Sequence, residues 1–324
     1  MRKDCLITID IVIPAHNEEL VMPLLIKRLE NIFCADNLKK YGILKVRYLF
    51  IDDGSADGTL NFLKTKLSIN NKAKIISFSR NFGHQAAVSA GIFMADADIT
   101  AIIDADLQDP PEHILDMLRL WRDEYDVVYG LRKHRNENFF KNTCYKIFYR
   151  LYRFLSPVEV PLDSGDFCIM DRKVVDALKS LPEKLRFQRG LRSWVGFAQT
   201  GFEYERPKRA AGESKYSLKD LYHLATDGIT SMSITPLKIS QFFALVFFLF
   251  SLVIFLLLRS DVLRNSGIDP IFILTLLYTI GNAVIFLCLY ILGAYIGRAY
   301  LETKNRPAYI IKENLDITQE ESVE

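Results

Sequence analysis

Four times in its first 110 residues the chain runs through a short apolar stretch and ends it in a cluster of polar side chains. Residues Leu6 to Pro14 close on Ala15-His16-Asn17-Glu18-Glu19, and Val46 to Ile51 close on Asp52-Asp53-Gly54-Ser55. Lys74 to Phe78 close on Ser79-Arg80-Asn81-Phe82-Gly83-His84, and a run ending at Ile103 closes on Asp104-Ala105-Asp106-Leu107-Gln108-Asp109. A fifth run, Asp126 to Gly130, leads into Leu131-Arg132-Lys133. Helix-length stretches separate the runs, the first from about Asn17 to Phe33, another ending near Ala95. Strands that alternate with helices predict an α/β fold, a doubly wound and mostly parallel sheet. Such sheets bind ligands beyond the carboxyl ends of their strands, where every one of these clusters falls. One cluster alone is ordinary loop chemistry. Four on a single edge define a site.

The fourth cluster is the most demanding. Two carboxylates one residue apart repel unless a cation lies between them. An isolated Asp-x-Asp is more often a solvated turn with a helix cap at Asp109, but here it stands beside three other clusters. Hard oxygen ligands without a neighbouring His or Cys suit Mg²⁺ or Mn²⁺. The tip of this strand is therefore a candidate site for such a cation.

The remaining sequence excludes several classes. A net charge of +2 implies no bulk affinity for nucleic acid. Five scattered cysteines without CxxC spacing argue against a disulfide framework or a zinc site. No signal-peptide pattern is expected in the first residues, which pass directly into a strand. There is no GxGxxG after the first strand and no GxxxxGK[ST], which disfavours a dinucleotide fold or a phosphate loop.

Beyond Gly130, residues 138–156 place Phe140, Ile147, Phe148, Leu151 and Leu155 on one helical face and Lys146, Arg150 and Arg153 on the other. This suits a helix lying in a membrane interface, or an amphipathic helix packed on the sheet. Asp163-Ser164-Gly165-Asp166-Phe167 follows, then a helix expected from near Asp171. Residues 206–216 carry four cations in ten positions, a pattern for an anionic ligand or for lipid headgroups. Residues 237–258 and 271–297 are almost wholly apolar and long enough to cross a hydrocarbon layer of roughly 30 Å. The expected organisation is a catalytic domain over 1–216, a juxtamembrane amphipathic segment over 217–236, two membrane helices joined by a short loop at 259–270, and an acidic, unstructured tail within 298–324. Lys238 on one flank and Arg298, Lys304 and Arg306 on the other put the catalytic domain and both termini on the cytoplasmic face of the inner membrane. Gly293 and Gly297 form a GxxxG, a weak pointer to a homo-oligomer.

In order, VIPAHNEE, IDDGSADGT, SRNFGHQAA, DADLQDPPE, DSGDF and AGESKYS resemble the motifs of glycosyltransferase family 2. Within it the chain is most similar to polyisoprenyl-phosphate glycosyltransferases, the dolichyl-phosphate mannose synthases and bacterial undecaprenyl-phosphate sugar transferases. The resemblance covers roughly residues 5 to 300 and implies a GT-A fold. By the same resemblance Pro14, Asn17 and Glu18 frame the nucleotide, Asp53 contacts the base with Asp52 adjacent, and Arg80 belongs to the donor pocket. Asp104, Asp106 and Gln108 hold the metal against the donor diphosphate, with Asp104 also counted as nucleotide-sugar-binding and Asp106 as catalytic. Arg132, Arg206, Arg209, Ser214 and Lys215 hold phosphates, including that of the lipid. Asp163 and Asp166 face the acceptor, as a base or to orient it. The implied reaction passes a hexose, UDP-glucose being the first expectation for the donor, to undecaprenyl phosphate with inversion. A processive polysaccharide synthase is a rival, but Gln188 and Trp194 do not have the QxxRW spacing and two membrane helices make a poor polymer channel. A non-catalytic nucleotide-sugar binding protein is a second rival, disfavoured because all the carboxylates are present.

Overall fold

The structure, a computed structural model, describes residues 5–67, 73–133, 161, 164–205, 228–259 and 270–316. The chain divides into two compact units. The first carries a mixed sheet whose order is β7-β5-β6-β4-β1-β2-β3-β8 among the described residues. Its strands are β1 (Ile7–Ala15), β2 (Ile43–Asp52), β3 (Ala73–Phe78), β4 (Ile99–Ile102), β5 (Val127–Arg132), β6 (Ser164–Asp171), β7 (Gln199–Tyr204) and β8 (Ile311–Asp316). The helices between them are α1 (Met22–Ile32), α2 (Ala35–Lys40), α3 (Thr59–Leu67), α4 (His84–Met94), α5 (His113–Arg122), α6 (Arg172–Ser180) and α7 (Gln188–Trp194).

The parallel block β4-β1-β2-β3 is the parallel core expected from the alternating pattern. The branched side chains of β1 are buried throughout, because helices cover both faces. Asp10, which interrupts the apolar pattern, is buried but satisfied: Arg47 donates to both its oxygens at 2.9 and 2.7 Å. Phe50, Phe78 and Phe167 are fully buried, each contributing about 1.5–3 kcal/mol by removal from water. Gly91 lets α4 lie close on β1, since a Cβ there would strike Val12.

Three strands depart from the sequence expectation. β6 is antiparallel to both β4 and β5, so the segment after Asp163, which the sequence pattern assigns to no strand, is strand from Ser164 onward. Its apolar run is short and opens on Ser-Gly-Asp, which looks like a turn in isolation. β7 pairs parallel with β5. The tail expected to be unstructured contains β8, antiparallel to β3. In β8 the inward positions are Ile311, Glu313 and Leu315, and the charged Glu313 hides the period-two pattern. Glu313 is paired with Lys64, and Lys74 lies 3.5 Å from Asp316.

The second unit contains the helices α8 (Thr235–Arg259) and α9 (Pro270–Thr303). Stretches of 22 and 33 residues within them are long and apolar enough to cross a membrane. Tyr295 donates to the carbonyl of Ser233 at 2.6 Å, joining the end of α9 to the start of α8. Asn282, the polar exception in the apolar run, bonds the Tyr278 carbonyl one turn back at 2.8 Å. The interfacial helix expected over 138–156 lies outside the described residues, as does the joining loop expected over 259–270 apart from Arg259 and Pro270, which belong to the helices.

Candidate functional site

The carboxyl ends of β1, β2 and β3 form the first half of the site. The register sets Ala15 beside Asp52 and Asp52 beside Ser77. Asp52 accepts from the Ser77 hydroxyl at 2.8 Å and from the Ser55 N–H at 3.2 Å. Asp53 accepts from the N–H groups of Phe82 and Gly83 at 2.7 and 2.9 Å. Burial pushes the Asp53 carboxyl up, and these two N–H groups oppose the rise. Gly54, at φ +63°, allows the two loops to touch; a Cβ there would enter the backbone of Arg80. His16 Nδ1 lies 2.9 Å from the Asp53 carbonyl, which can only accept, so this nitrogen carries the proton. Its Nε2 then accepts from the side-chain amides of Asn17 at 3.2 Å and Asn81 at 3.1 Å. Asn17, in the left-handed region at φ +54°, also accepts from the Ala56 N–H at 2.8 Å. Pro14 is buried at the end of β1, the Glu18 N–H donates to Thr59, and Arg80 is exposed with its guanidinium 4.0 Å from the Phe82 ring.

The second half lies beyond β4, β5 and β6. Pairing of Ile102 with Cys168, continued by two residues, brings Asp104 opposite Asp166. Arg189, at the start of α7, donates to both Asp166 oxygens at 2.9 and 3.2 Å. The Gln85 amide adds a third bond at 3.0 Å. His84 Nε2 sits 3.1 Å from Asp166 and 3.6 Å from Asp104. Burial alone would raise Asp166, but Arg189 and then His84 outweigh it and hold the carboxyl well below its usual range. Burial likewise disfavours a charged His84, yet Asp104 and Asp166 prevail and push it up to about 9. Asp104 is pushed up to about 6 by burial, against His84, with Asp109, Asp106 and Asp166 adding to the rise. Arg132 lies across Gly165, where a Cβ would come within 2.9 Å of its guanidinium. It also reaches Asp109 at 3.8 Å and the Tyr204 hydroxyl at 3.4 Å, and Tyr204 in turn bonds Asp109.

This half fits a hard divalent cation. Asp104, Asp106 and Gln108 are each partly exposed while the alternating Ala105, Leu107 and Asp109 are buried, so the three share one face of the loop. Asp104 Oδ1 is buried with no hydrogen-bond donor. Among the described residues no group of three or more His, Cys, Asp or Glu side chains is arranged to hold a metal ion unaided. An ion that takes its remaining ligands from phosphate and water suits such an open, all-oxygen set.

The structure thus brings Pro14, Asn17, Glu18, Asp52, Asp53 and Arg80 to one half of the edge and Asp104, Asp106, Gln108, Arg132 and Asp166 to the other. Asp163, Arg206, Arg209, Ser214 and Lys215 lie outside the described residues. Sequence reasoning missed His84, Arg189, Asp109 and Tyr204 as site residues. His84 and Arg189 stand inside the polar segments SRNFGHQAA and RFQRG, so a signal existed; nothing marked Tyr204.

An oxygen-lined acidic tip beside a cradle of loop residues, on the carboxyl edge of this sheet, fits a glycosyltransferase. The chain belongs to glycosyl transferase family 2, whose family model matches residues 10–179. It is 42% identical over 313 residues to the uncharacterized glycosyltransferase YkcC of Bacillus subtilis, covering 95% of this chain and 94% of that protein. It is 39% identical to an uncharacterized glycosyltransferase of Synechocystis, over 95% of each chain. It is also 36% identical to the SfII prophage-derived bactoprenol glucosyl transferase of Shigella flexneri, over 94% of this chain and 98% of that protein.

Proposed function

We propose that the protein transfers a hexose from a nucleotide sugar, UDP-glucose first among candidates, to undecaprenyl phosphate, giving a lipid-phosphate-linked monosaccharide for cell-envelope glycosylation. The observation that carries this reading is the juxtaposition of the Asp104–Gln108 tip with the ion-paired Asp166. The bactoprenol glucosyl transferases, similar along almost the whole chain, support the lipid acceptor and the sugar.

An acceptor phosphate oxygen attacks C1 of the sugar from the face opposite the nucleotide. The bond from C1 to the diphosphate oxygen breaks, and the nucleoside diphosphate leaves with the electron pair. One displacement inverts the anomeric centre. The acceptor's second pKa lies near about 6, so it arrives largely ionised and needs no base. That agrees with the state of Asp166, whose oxygens are already taken by Arg189, His84 and Gln85. Asp166 orients cationic groups around the reacting centre and does not accept a proton. Arg132, held over Gly165 by Asp109 and Tyr204, offers a preorganised cation to a phosphate. Asp104, Asp106 and Gln108 would hold Mg²⁺ or Mn²⁺, which when bound supplies Lewis-acid stabilisation to the departing diphosphate.

The two long apolar helices anchor the protein in the membrane that contains its acceptor. β8 follows both helices in the chain and pairs in the same sheet as β1 to β7, which supports an even number of crossings. With the basic flanks, this supports a cytoplasmic catalytic unit and cytoplasmic termini. The decisive experiment incubates purified full-length protein with Mg²⁺, undecaprenyl phosphate and a panel of nucleotide sugars, and scores sugar in the organic phase. Product there, lost in excess chelator and of inverted configuration, is expected; polymer, retained configuration or undiminished transfer in chelator would each overturn a named part.

A further inference from the structure

We infer that the segment after the second apolar helix, residues 309–316, is a positioning element of the donor site. It acts through the loop Ser79 to Gly83, on which Asp53 is held. The inference rests on the reading that the nucleotide lies at the ends of β1, β2 and β3.

β8 does more than extend the sheet. Its pairing with β3 runs from Lys74 opposite Asp316 to Phe78 opposite Ile311, with a register shift at Ser77 and Phe78. The contact then continues past the end of β3, where the Ser79 N–H donates to the Ile310 carbonyl at 3.0 Å. Tyr309 stacks on Phe78 with ring centroids 4.8 Å apart and planes 12° from parallel. Phe78 meets the edge of Phe82 at 5.8 Å and 88°, and Arg80 lies over the Phe82 ring. The backbone of that same Phe82, with Gly83, supplies both donors to the Asp53 carboxylate, and Asn81 reaches His16. An unbroken series of contacts therefore leads from Tyr309 through two aromatic rings to Asp53. The Lys64–Glu313 and Lys74–Asp316 pairs secure the strand along β3, away from the loop. A strand needed only to cover the edge of β3 has no use for contacts beyond Phe78.

The test uses the full-length protein, with UDP and GDP as calorimetric probes and hydrogen exchange read at the Phe82 and Gly83 amides. Tyr309→Ala should weaken nucleotide binding by about three- to tenfold, the worth of one aromatic stack. It should raise the donor KM while leaving the polyprenyl-phosphate KM unchanged, and speed exchange at both amides. Tyr309→Phe, which keeps the ring, should behave as wild type. Tyr309→Leu, which keeps apolar cover without the stack, should fall between and serves if the alanine variant does not fold. Lys64→Ala, which breaks the pair to Glu313 from α3 and lies outside residues 309–316, should leave affinity within about twofold. Unchanged affinity and unchanged exchange at Phe82 and Gly83 in the alanine or leucine variant, even with a lowered Tm, would overturn the inference. If wild type binds neither nucleotide, it is the donor reading that fails, and the exchange data then decide the role of Tyr309 by themselves.

Discussion

The two halves of the site hold their carboxylates in opposite ways. At the ends of β1 to β3, Asp52 and Asp53 are met by hydroxyl and backbone N–H donors, and the loops they join are complete without a ligand. At the ends of β4 to β6, Asp104, Asp106, Asp109 and Asp166 crowd together against His84, Arg132 and Arg189, and Asp104 keeps an oxygen with no donor. The first half is a shaped cradle whose charges serve the protein's own backbone. The second is electrostatically unfinished, with a buried carboxylate oxygen that no hydrogen-bond donor meets. Shape and chemistry are thus divided between neighbouring strands of one sheet.

The sharpest way to break this contrast is Asp104→Asn. Transfer should fall by more than about a hundredfold, as when one preorganised electrostatic group is lost. Melting temperature should hold or rise, because a buried carboxylate among others is relieved of its repulsion. Lipid-phase sugar and a melting curve check both; a fully active variant would remove the metal assignment. Next in size is Arg189→Met, which strands the buried Asp166. Loss of stability should lie toward the lower end of about 3–5 kcal/mol, since Arg189 keeps 28% of its side chain exposed. Adding Asp166→Asn should restore much of the stability but not the transfer rate, which separates holding the fold from serving the reaction. The smallest effect belongs to the cradle. Asp53→Asn keeps one acceptor and turns the other into a donor facing an N–H, costing about 1–2 kcal/mol. Donor KM should rise a fewfold with kcat nearly unchanged; an equal fall in kcat would mean that the two halves are not separable.

The cradle was legible in the sequence and the charged half only partly so. β1, β2, β3 and β4 each announce themselves as an apolar run with a polar end, and the parallel order follows from the intervening helices. The encounter of Asp104 with Asp166 depends on β6 entering antiparallel between β4 and β5, a pairing between residues more than 60 positions apart. No local periodicity encodes such a partner. The same holds for Arg189, whose role appears only when α7 is set beside β6. β8 was hidden for a different reason: Lys312, Glu313 and Asp316 made a strand look like a solvated tail, although Glu313 meets Lys64 and Ile311 and Leu315 face inward.

The late arrival of β8 also sets an order of assembly. A chain emerging from the ribosome presents Ala73–Phe78, a largely apolar strand, more than 200 residues before its outer neighbour exists. Until both hydrophobic helices have been made, that flank of the sheet is an unguarded template for any other extended chain. Maturation of the enzyme is therefore tied to completion of both apolar helices, and a fragment ending before residue 230 should self-associate through this flank.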